Sequence, residues 1–296
     1  MTAAAVAGNR WVLGARPRTL PAAVVPVLVG TAAASGVPGS DVVVWRALAA
    51  LVVAVAIQVA TNYVNDFTDG RRGTDDHRVG PVRLVGSGLA TVGEVQRAAL
   101  LAGSVAALAG LALAAAVGPE LLVVGACSFA AGYLYTGGPK PYGYLGLGEL
   151  FVFVFFGLVA TVGSAYVQLE RISGLAVAAA IPVGLLATAL LVVNNLRDIP
   201  SDVVAGKVTL AVRLGDRDTR SLYATLLIGA FATAAALGFV RVGALAALLA
   251  IPLAVGPVRT VLGGATGPRL IPVLGDTGKV QLVVGGLLAL GLALTP

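Results

Sequence analysis

Charge is what this 296-residue chain has least of. Asp, Glu, Lys and Arg make up 11% of it, where a soluble domain carries about 25%. No polar stretch is long enough to build a soluble domain, and the mean hydropathy is +0.94. Cys127 is the single cysteine, which excludes an intramolecular disulfide and a cysteine metal cluster. His77 is the single histidine, and nothing beside it in the sequence pairs with it as a metal ligand. Lysine is scarce. The opening MTAAAVAGNRWVLGARPRTL reads as no secretory signal, because its first clear apolar run begins near Leu20 and continues into the body of the protein. The glycine-rich GPVRLVGSGLATVGEV (80–95) lacks the G-x-x-x-x-G-K-[ST] pattern of a phosphate-binding loop.

What fills the chain instead is hydrocarbon. A helix needs roughly 20 apolar residues to cross a bilayer core of about 30 Å, and many such runs fit. The expected fold class is an all-α polytopic membrane protein, residues 1–296 forming one transmembrane domain. Nine spans are expected, near 19–36, 42–65, 95–117, 120–136, 145–168, 172–197, 221–239, 242–262 and 279–295. The connections at 66–94, 198–220 and 263–278 are long, and they share one side.

That side also collects the charge. With the N-terminus cytoplasmic, 17 of the 20 Lys and Arg residues fall on the cytoplasmic face, and Arg46, Arg171 and Arg241 are the exceptions. The positive-inside rule fixes this orientation and sends the C-terminus outside. The formal net charge of +6 is thereby accounted for by topology, which argues against a nucleic-acid partner. Most acids follow the bases, so any chemistry is expected on the cytoplasmic face.

Two acidic stretches stand out. In NYVNDFTDGRRGTDD (62–76), Asn62, Asp66 and Asp69 are spaced i, i+4, i+7 and would share a face of a continuing helix. Four helices later, NNLRDIPSDVVAGK (194–207) spaces Asn194, Asp198 and Asp202 at i, i+4, i+8. Each cluster is followed by a glycine and a basic residue, then by Val-Arg-Leu (82–84 and 212–214), a short parallel repeat. Either cluster alone reads equally well as a solvated helix end, since Asp serves caps and turns; two matched clusters on one face do not. Convergent carboxylates repel unless a cation joins them. Mg²⁺ prefers oxygen ligands and is commonly held by one or two carboxylates plus substrate phosphates. The nearby Arg71, Arg72, Arg78, Lys140 and Lys207 can neutralise the remaining phosphate charge. A diphosphate at a membrane face with an apolar cavity above it points to an isoprenyl diphosphate.

With RPRTLPAAVVPVLVGTA (16–32), NYVNDFTDGRRGTDD (62–76), YTGGPKPYGYLGLGELFVFVFFGLVATVG (135–163) and NNLRDIPSDVVAGKVTLAVRLG (194–215), the chain resembles the UbiA superfamily of intramembrane aromatic prenyltransferases. Within it the likeness is to the branch that prenylates 1,4-dihydroxy-2-naphthoate. Residues beyond about 216 carry little signature except hydrophobicity. The resemblance implies a nine-helix bundle in the cell membrane. It implies transfer of a polyprenyl group from an allylic diphosphate to the naphthoate with loss of CO₂, in the making of menaquinone, with Mg²⁺ as cofactor. It places Asp66, Asp69, Asp75, Asp198 and Asp202 as metal ligands. Asn62, Arg71, Arg72, Arg78, Asn194 and Lys207 fall on the diphosphate, and Lys140 and Tyr135 join the acids as catalytic residues. Tyr63, Phe67, Tyr142 and Tyr144 are further candidates to stabilise a prenyl cation, although a tyrosine at a membrane interface is more often a belt residue than a catalyst.

Two departures bear on this. The broader superfamily pattern N-D-x-x-D-x-x-x-D fits Asn65, Asp66 and Asp69, but its last position is Gly73 and the next acid is Asp75, the wider spacing of the naphthoate branch. Pro200 lies between Asp198 and Asp202 and is expected to break that helix. Arg83 and Arg213 read as headgroup or structural charges. The competing readings are a sibling enzyme acting on 4-hydroxybenzoate, homogentisate or a lipid phosphate, and a secondary transporter. Transporter sites, however, sit near the midplane on broken helices, whereas these acids cluster at one face. Prenyl length and oligomeric state leave no mark in the sequence.

Overall fold

The computed structural model describes residues 10–35, 37, 41–74, 80 and 82–295. Those residues are built from helices. α1 (Arg10–Ala15) leads through a turn into α2 (Pro21–Ser35), and then come α3 (Val44–Arg72), α4 (Val92–Val117) and α5 (Glu120–Leu134). They are followed by α6 (Gly148–Leu169), α7 (Gly174–Val204), α8 (Leu210–Leu237), α9 (Val242–Leu262) and α10 (Leu270–Leu294). Among the described residues seven helices are long and apolar enough to cross a membrane. The bent pair α1–α2, at 51°, raises the number to eight, and α5 is a shorter apolar helix.

Helix ends differ from the apolar runs. α3 continues through Arg72 and α7 through Val204, so both acidic clusters lie on helix rather than in loops. Hydrogen bonding propagates past the last apolar residue, and α3 stops where Gly73 takes the left-handed φ of 69°. The expected break at Pro200 does not occur: α7 runs through both Pro182 and Pro200. Pro200 forfeits one backbone bond to Leu196, and the flanking turns hold. α8 begins well before its apolar run, at the Thr209 cap, and bends at Gly215. α4 starts on a capping box in which Thr91 and Glu94 satisfy each other's backbone N–H groups.

α7 is the central helix: 72% of its apolar window is buried, against 17% for α3 and for α4. It packs on α2, α6, α8 and α10, and its small residues permit this closeness. A Cβ on Gly157 of α6 would lie 2.5 Å from Gly184 Cα of α7, so the two backbones touch. Around this contact, Phe153–Val159 winds as a π-helix. A second, smaller core (Tyr63, Phe67, Leu84, Ala90, Val95, Ala99) seats the 82–90 segment against α3 and α4. This segment carries Arg83 to within 3.9 Å of Asp69 in the first acidic cluster.

Candidate active site

A cavity of about 630 Å³ opens between α2, α3, α5, α6 and α7. Its lining includes both Ala50 and Asp69 of α3, so at 1.5 Å per residue it follows that helix for roughly 28 Å. Most of its wall is apolar. The polar groups gather at the acid-bearing end, where Asn62, Asn65, Asp69, Arg83, Asn194, Asn195 and Lys207 all line it.

Among the described residues, Asp69 is the carboxylate of the first cluster that lines this cavity. It is 2% exposed, its Oδ1 accepts the Tyr144 hydroxyl at 2.8 Å, and its Oδ2 lies 3.9 Å from Arg83 Nη2. Asn65, one turn earlier, shares its face, and its Oδ1 accepts the Thr136 hydroxyl. Asp66 takes a different place from the shared face expected of it. Its side chain, fully buried, accepts the backbone N–H groups of Leu84 at 2.8 Å and Val85 at 2.9 Å. It pins the 82–90 segment to α3 and is absent from the cavity lining. Asn62 lines the cavity but is tied to the first helix. Its Nδ2 donates to Ala15 O at 2.9 Å and Thr19 Oγ1 at 3.1 Å, while its own carbonyl accepts from Arg16.

In the second cluster, Asp198 is paired in fork geometry with its neighbour Arg197, at 2.7 Å for both bonds. Arg197 also donates to Asn194 Oδ1 at 2.8 Å. Asp202 lies 4.0 Å from Lys207 Nζ. The two clusters meet at one ring: Lys207 Nζ and the Arg72 guanidinium each sit 5.1 Å from the Tyr144 ring centroid, and the Tyr144 hydroxyl bonds Asp69. Burial first, and the charge of Asp69 next, push the Tyr144 phenol up to about 12, so it stays a hydrogen-bond donor. Gly80 comes across to Arg197, where a Cβ would stand 3.1 Å from the guanidinium carbon.

Other expected residues lie apart. Lys140, between Pro139 and Pro141, is exposed and outside the lining. Arg71 packs on Phe67 and donates to Gln96. Arg72 donates to the Thr136 and Gly138 carbonyls, which hold the 136–138 turn. Tyr63 donates to Trp11 O. Asp75 and Arg78, with Asp76 and His77, lie outside the described residues. Tyr135 lines the cavity and begins an aromatic run. Its ring meets Tyr142 edge-on at 5.5 Å, Tyr142 stacks on Phe151 at 4.0 Å, and Phe151 on Phe155 at 6.1 Å.

Three residues at this end were not singled out by the sequence. Arg83, set aside as a headgroup charge, is buried and lines the cavity. Arg197 was counted as a topology charge. Asn195 donates from Nδ2 to the buried Glu149 Oε1 at 2.9 Å. For Arg197 the available sign was the Arg-Asp dipeptide closing an apolar run, since such a pair enters apolar surroundings only when neutralised.

Comparison with known proteins agrees with this architecture. The chain is 52% identical over 290 residues to the 1,4-dihydroxy-2-naphthoate octaprenyltransferase of Mycobacterium tuberculosis, covering 95% of this chain and 97% of that one. It is 38% identical over 295 residues to the Escherichia coli enzyme of the same name, covering 96% and 95%. A UbiA homolog from Aeropyrum pernix superposes with a TM-score of 0.69 at 16% identity, over 91% of this chain and 95% of that one. One from Archaeoglobus fulgidus, solved with GPP and Mg²⁺, gives 0.63 at 15% identity, over 94% and 99%. These two establish likeness of fold. Residues 23–264 match the UbiA prenyltransferase family, and the chain belongs to it.

Proposed function

We propose that the protein transfers a polyprenyl group from an allylic polyprenyl diphosphate to 1,4-dihydroxy-2-naphthoate, with loss of CO₂, giving demethylmenaquinol. The carrying observation is the long apolar cavity that ends among Asp69, Arg83, Lys207 and an aromatic run. Its shape suits an amphiphile with an anionic head and a hydrocarbon tail. The relatives' names supply the acceptor.

The donor set fits Mg²⁺. Asp69, Asp202 and Asn65 offer oxygen ligands, and among the described residues no three acids converge tightly enough to hold a cation by themselves. Mg²⁺ is commonly held by one or two carboxylates, with substrate phosphate oxygens completing its coordination. Asp69 and Asp202 would hold the metal, joined by Asp75 from the adjoining segment. When bound, Mg²⁺ would neutralise charge developing on the leaving diphosphate.

The chain's own residues do the rest. Lys207 and Arg83 face the head group and draw charge away from the breaking allylic C–O bond. Tyr144 holds Asp69 through its hydroxyl and the Lys207 ammonium over its ring. The rings of Tyr135, Tyr142 and Phe151 flank the position of the allylic carbon and stabilise its positive charge. The apolar wall excludes water, which would otherwise capture the cation. The naphthalenediol then attacks, and its carboxylate leaves as CO₂. Asp66 fixes the 82–90 segment to α3 through Leu84 and Val85, and Asp198 holds the Arg197 guanidinium.

The positive-inside distribution supports a cytoplasmic N-terminus and a site on the cytoplasmic side of the cell membrane. Counting α5 with α1–α2 as crossings gives nine spans and an external C-terminus, with 1–296 acting as one domain. The test is turnover by purified protein in detergent, given 1,4-dihydroxy-2-naphthoate, a long-chain allylic diphosphate and Mg²⁺. A decarboxylated prenyl-naphthol, lost with EDTA, is expected. Product from 4-hydroxybenzoate alone would overturn the acceptor.

A further inference from the structure

Glu149 is an anomaly. It is 6% exposed, at the start of α6. One carboxylate oxygen, Oε1, accepts the Asn195 amide. The other, Oε2, is buried with no hydrogen-bond partner among the described residues. A half-satisfied buried carboxyl is costly to keep, and nothing in the reaction outlined above employs it.

Its effect falls on Asn195. A side-chain amide next to a carboxylate has one orientation that works, with the NH₂ toward the acid. The Asn195 Oδ1 is therefore the atom left over. It receives no hydrogen bond among the described residues, and Asn195 lines the cavity. An oxygen with lone pairs and no proton is a selective host. It repels a diphosphate and a carboxylate, ignores a prenyl tail and welcomes a hydroxyl. Asn195 lies three residues before Asp198 on α7, about 4.5 Å deeper along the helix. That level is below the diphosphate and beside the aromatic run, where the Tyr135 ring edge lies 3.1 Å from a Cβ built on Gly148.

We infer that Asn195 Oδ1, aimed by Glu149, accepts the hydrogen bond of one hydroxyl of the aromatic acceptor. Asn195 is the binding residue, and Glu149 is a positioning residue acting through it. The hydroxyl keeps its proton, and the hydrogen bond holds the ring with its carboxyl-bearing carbon toward the allylic carbon. This assignment rests on the aromatic-diol reading of the site.

The experiment measures KM for acceptor and for allylic diphosphate separately in wild type, Glu149→Gln and Asn195→Ala. Each protein is also given the two monomethyl ethers of the dihydroxynaphthoate, and melting temperature in detergent serves as a folding control. Glu149→Gln frees the amide to turn, so acceptor KM should rise about tenfold, roughly 1.4 kcal/mol, with donor KM within about twofold. Wild type should discriminate against one ether, and both variants should lose that discrimination. Should Glu149→Gln fail to fold, Asn195→Ala carries the same readouts. Unchanged acceptor KM with ether discrimination intact, or both KM values rising together, would overturn the inference. Failure of wild type to prenylate the diol at all would instead sink the reading on which it rests.

Discussion

Replacing Asp66 by asparagine separates scaffold from chemistry. Asp66 accepts two backbone N–H groups, from Leu84 and Val85, at 2.8 and 2.9 Å, and both Asp66 and Leu84 are fully buried. Hydrogen bonds to a charged acceptor contribute about 1.5–3 kcal/mol each. In Asp66→Asn the side-chain amide would keep one acceptor and set its NH₂ against the second N–H. One bond is lost and a repulsion added, about 2–4 kcal/mol in all. At 1.4 kcal/mol per factor of ten, opening of the 82–90 segment should become roughly 30- to 700-fold more frequent. Hydrogen exchange followed by mass spectrometry on peptides covering Leu84 and Val85 reads this directly, with α9 peptides as an internal control. Activity should fall because Arg83 rides on the loosened segment and leaves its place near Asp69. Protection at 84–85 unchanged within about threefold, in a variant that has lost turnover, would refute the clamp and return Asp66 to the metal.

Asp69→Asn should do the reverse, cutting kcat at least about 100-fold, the scale of a lost charge-stabilising group, while its melting temperature stays near wild type. Tyr144→Phe removes the donor to Asp69 and should raise KM for the allylic diphosphate several-fold. With the phenol raised to about 12, its donor form is complete below its ordinary value and is lost only as pH passes about 12. The wild-type pH profile should therefore show no Tyr144-dependent fall through about pH 10, the ordinary phenol value, and a break there that vanishes in Tyr144→Phe would contradict this. Lys140→Ala should leave kcat/KM within about twofold, since the ammonium is exposed and outside the cavity; a tenfold loss would restore it to the site. Gly157→Ala forces a methyl to within 2.5 Å of Gly184 Cα and should lower stability by about 1–3 kcal/mol, seen as a reduced melting temperature.

The membrane class, the apolar helices and the pairing of two acidic clusters could be read from composition and spacing, because about twenty apolar residues in a row have one home. Helix ends could not. Apolarity marks where lipid stops, whereas α3 ends seven residues past its expected limit, at a glycine able to adopt positive φ. The site residues were legible as a set and illegible as individuals. Asp66 and Asp69 are three apart in sequence, yet one serves the 82–90 segment and the other the cavity. That division is decided by where Leu84 and Val85 arrive, which is a long-range fact. Arg83 looked like one more cytoplasmic charge, and its burial depends on the small core around Tyr63 and Phe67. Pro200 misled in the opposite direction, since a helix packed on several sides tolerates one missing bond.

The π-helical stretch at Phe153–Val159 has an evolutionary corollary. Such a turn holds one residue more than an α-helical path between the same two points. A deletion of one residue there would restore plain helix without shifting the partners of α6 above or below it. Phe155, Phe156 and Val159 from this stretch form cavity wall. The lineage could thus resize its hydrocarbon channel by single-codon insertions and deletions that keep Gly157 against Gly184, leaving the polar head untouched.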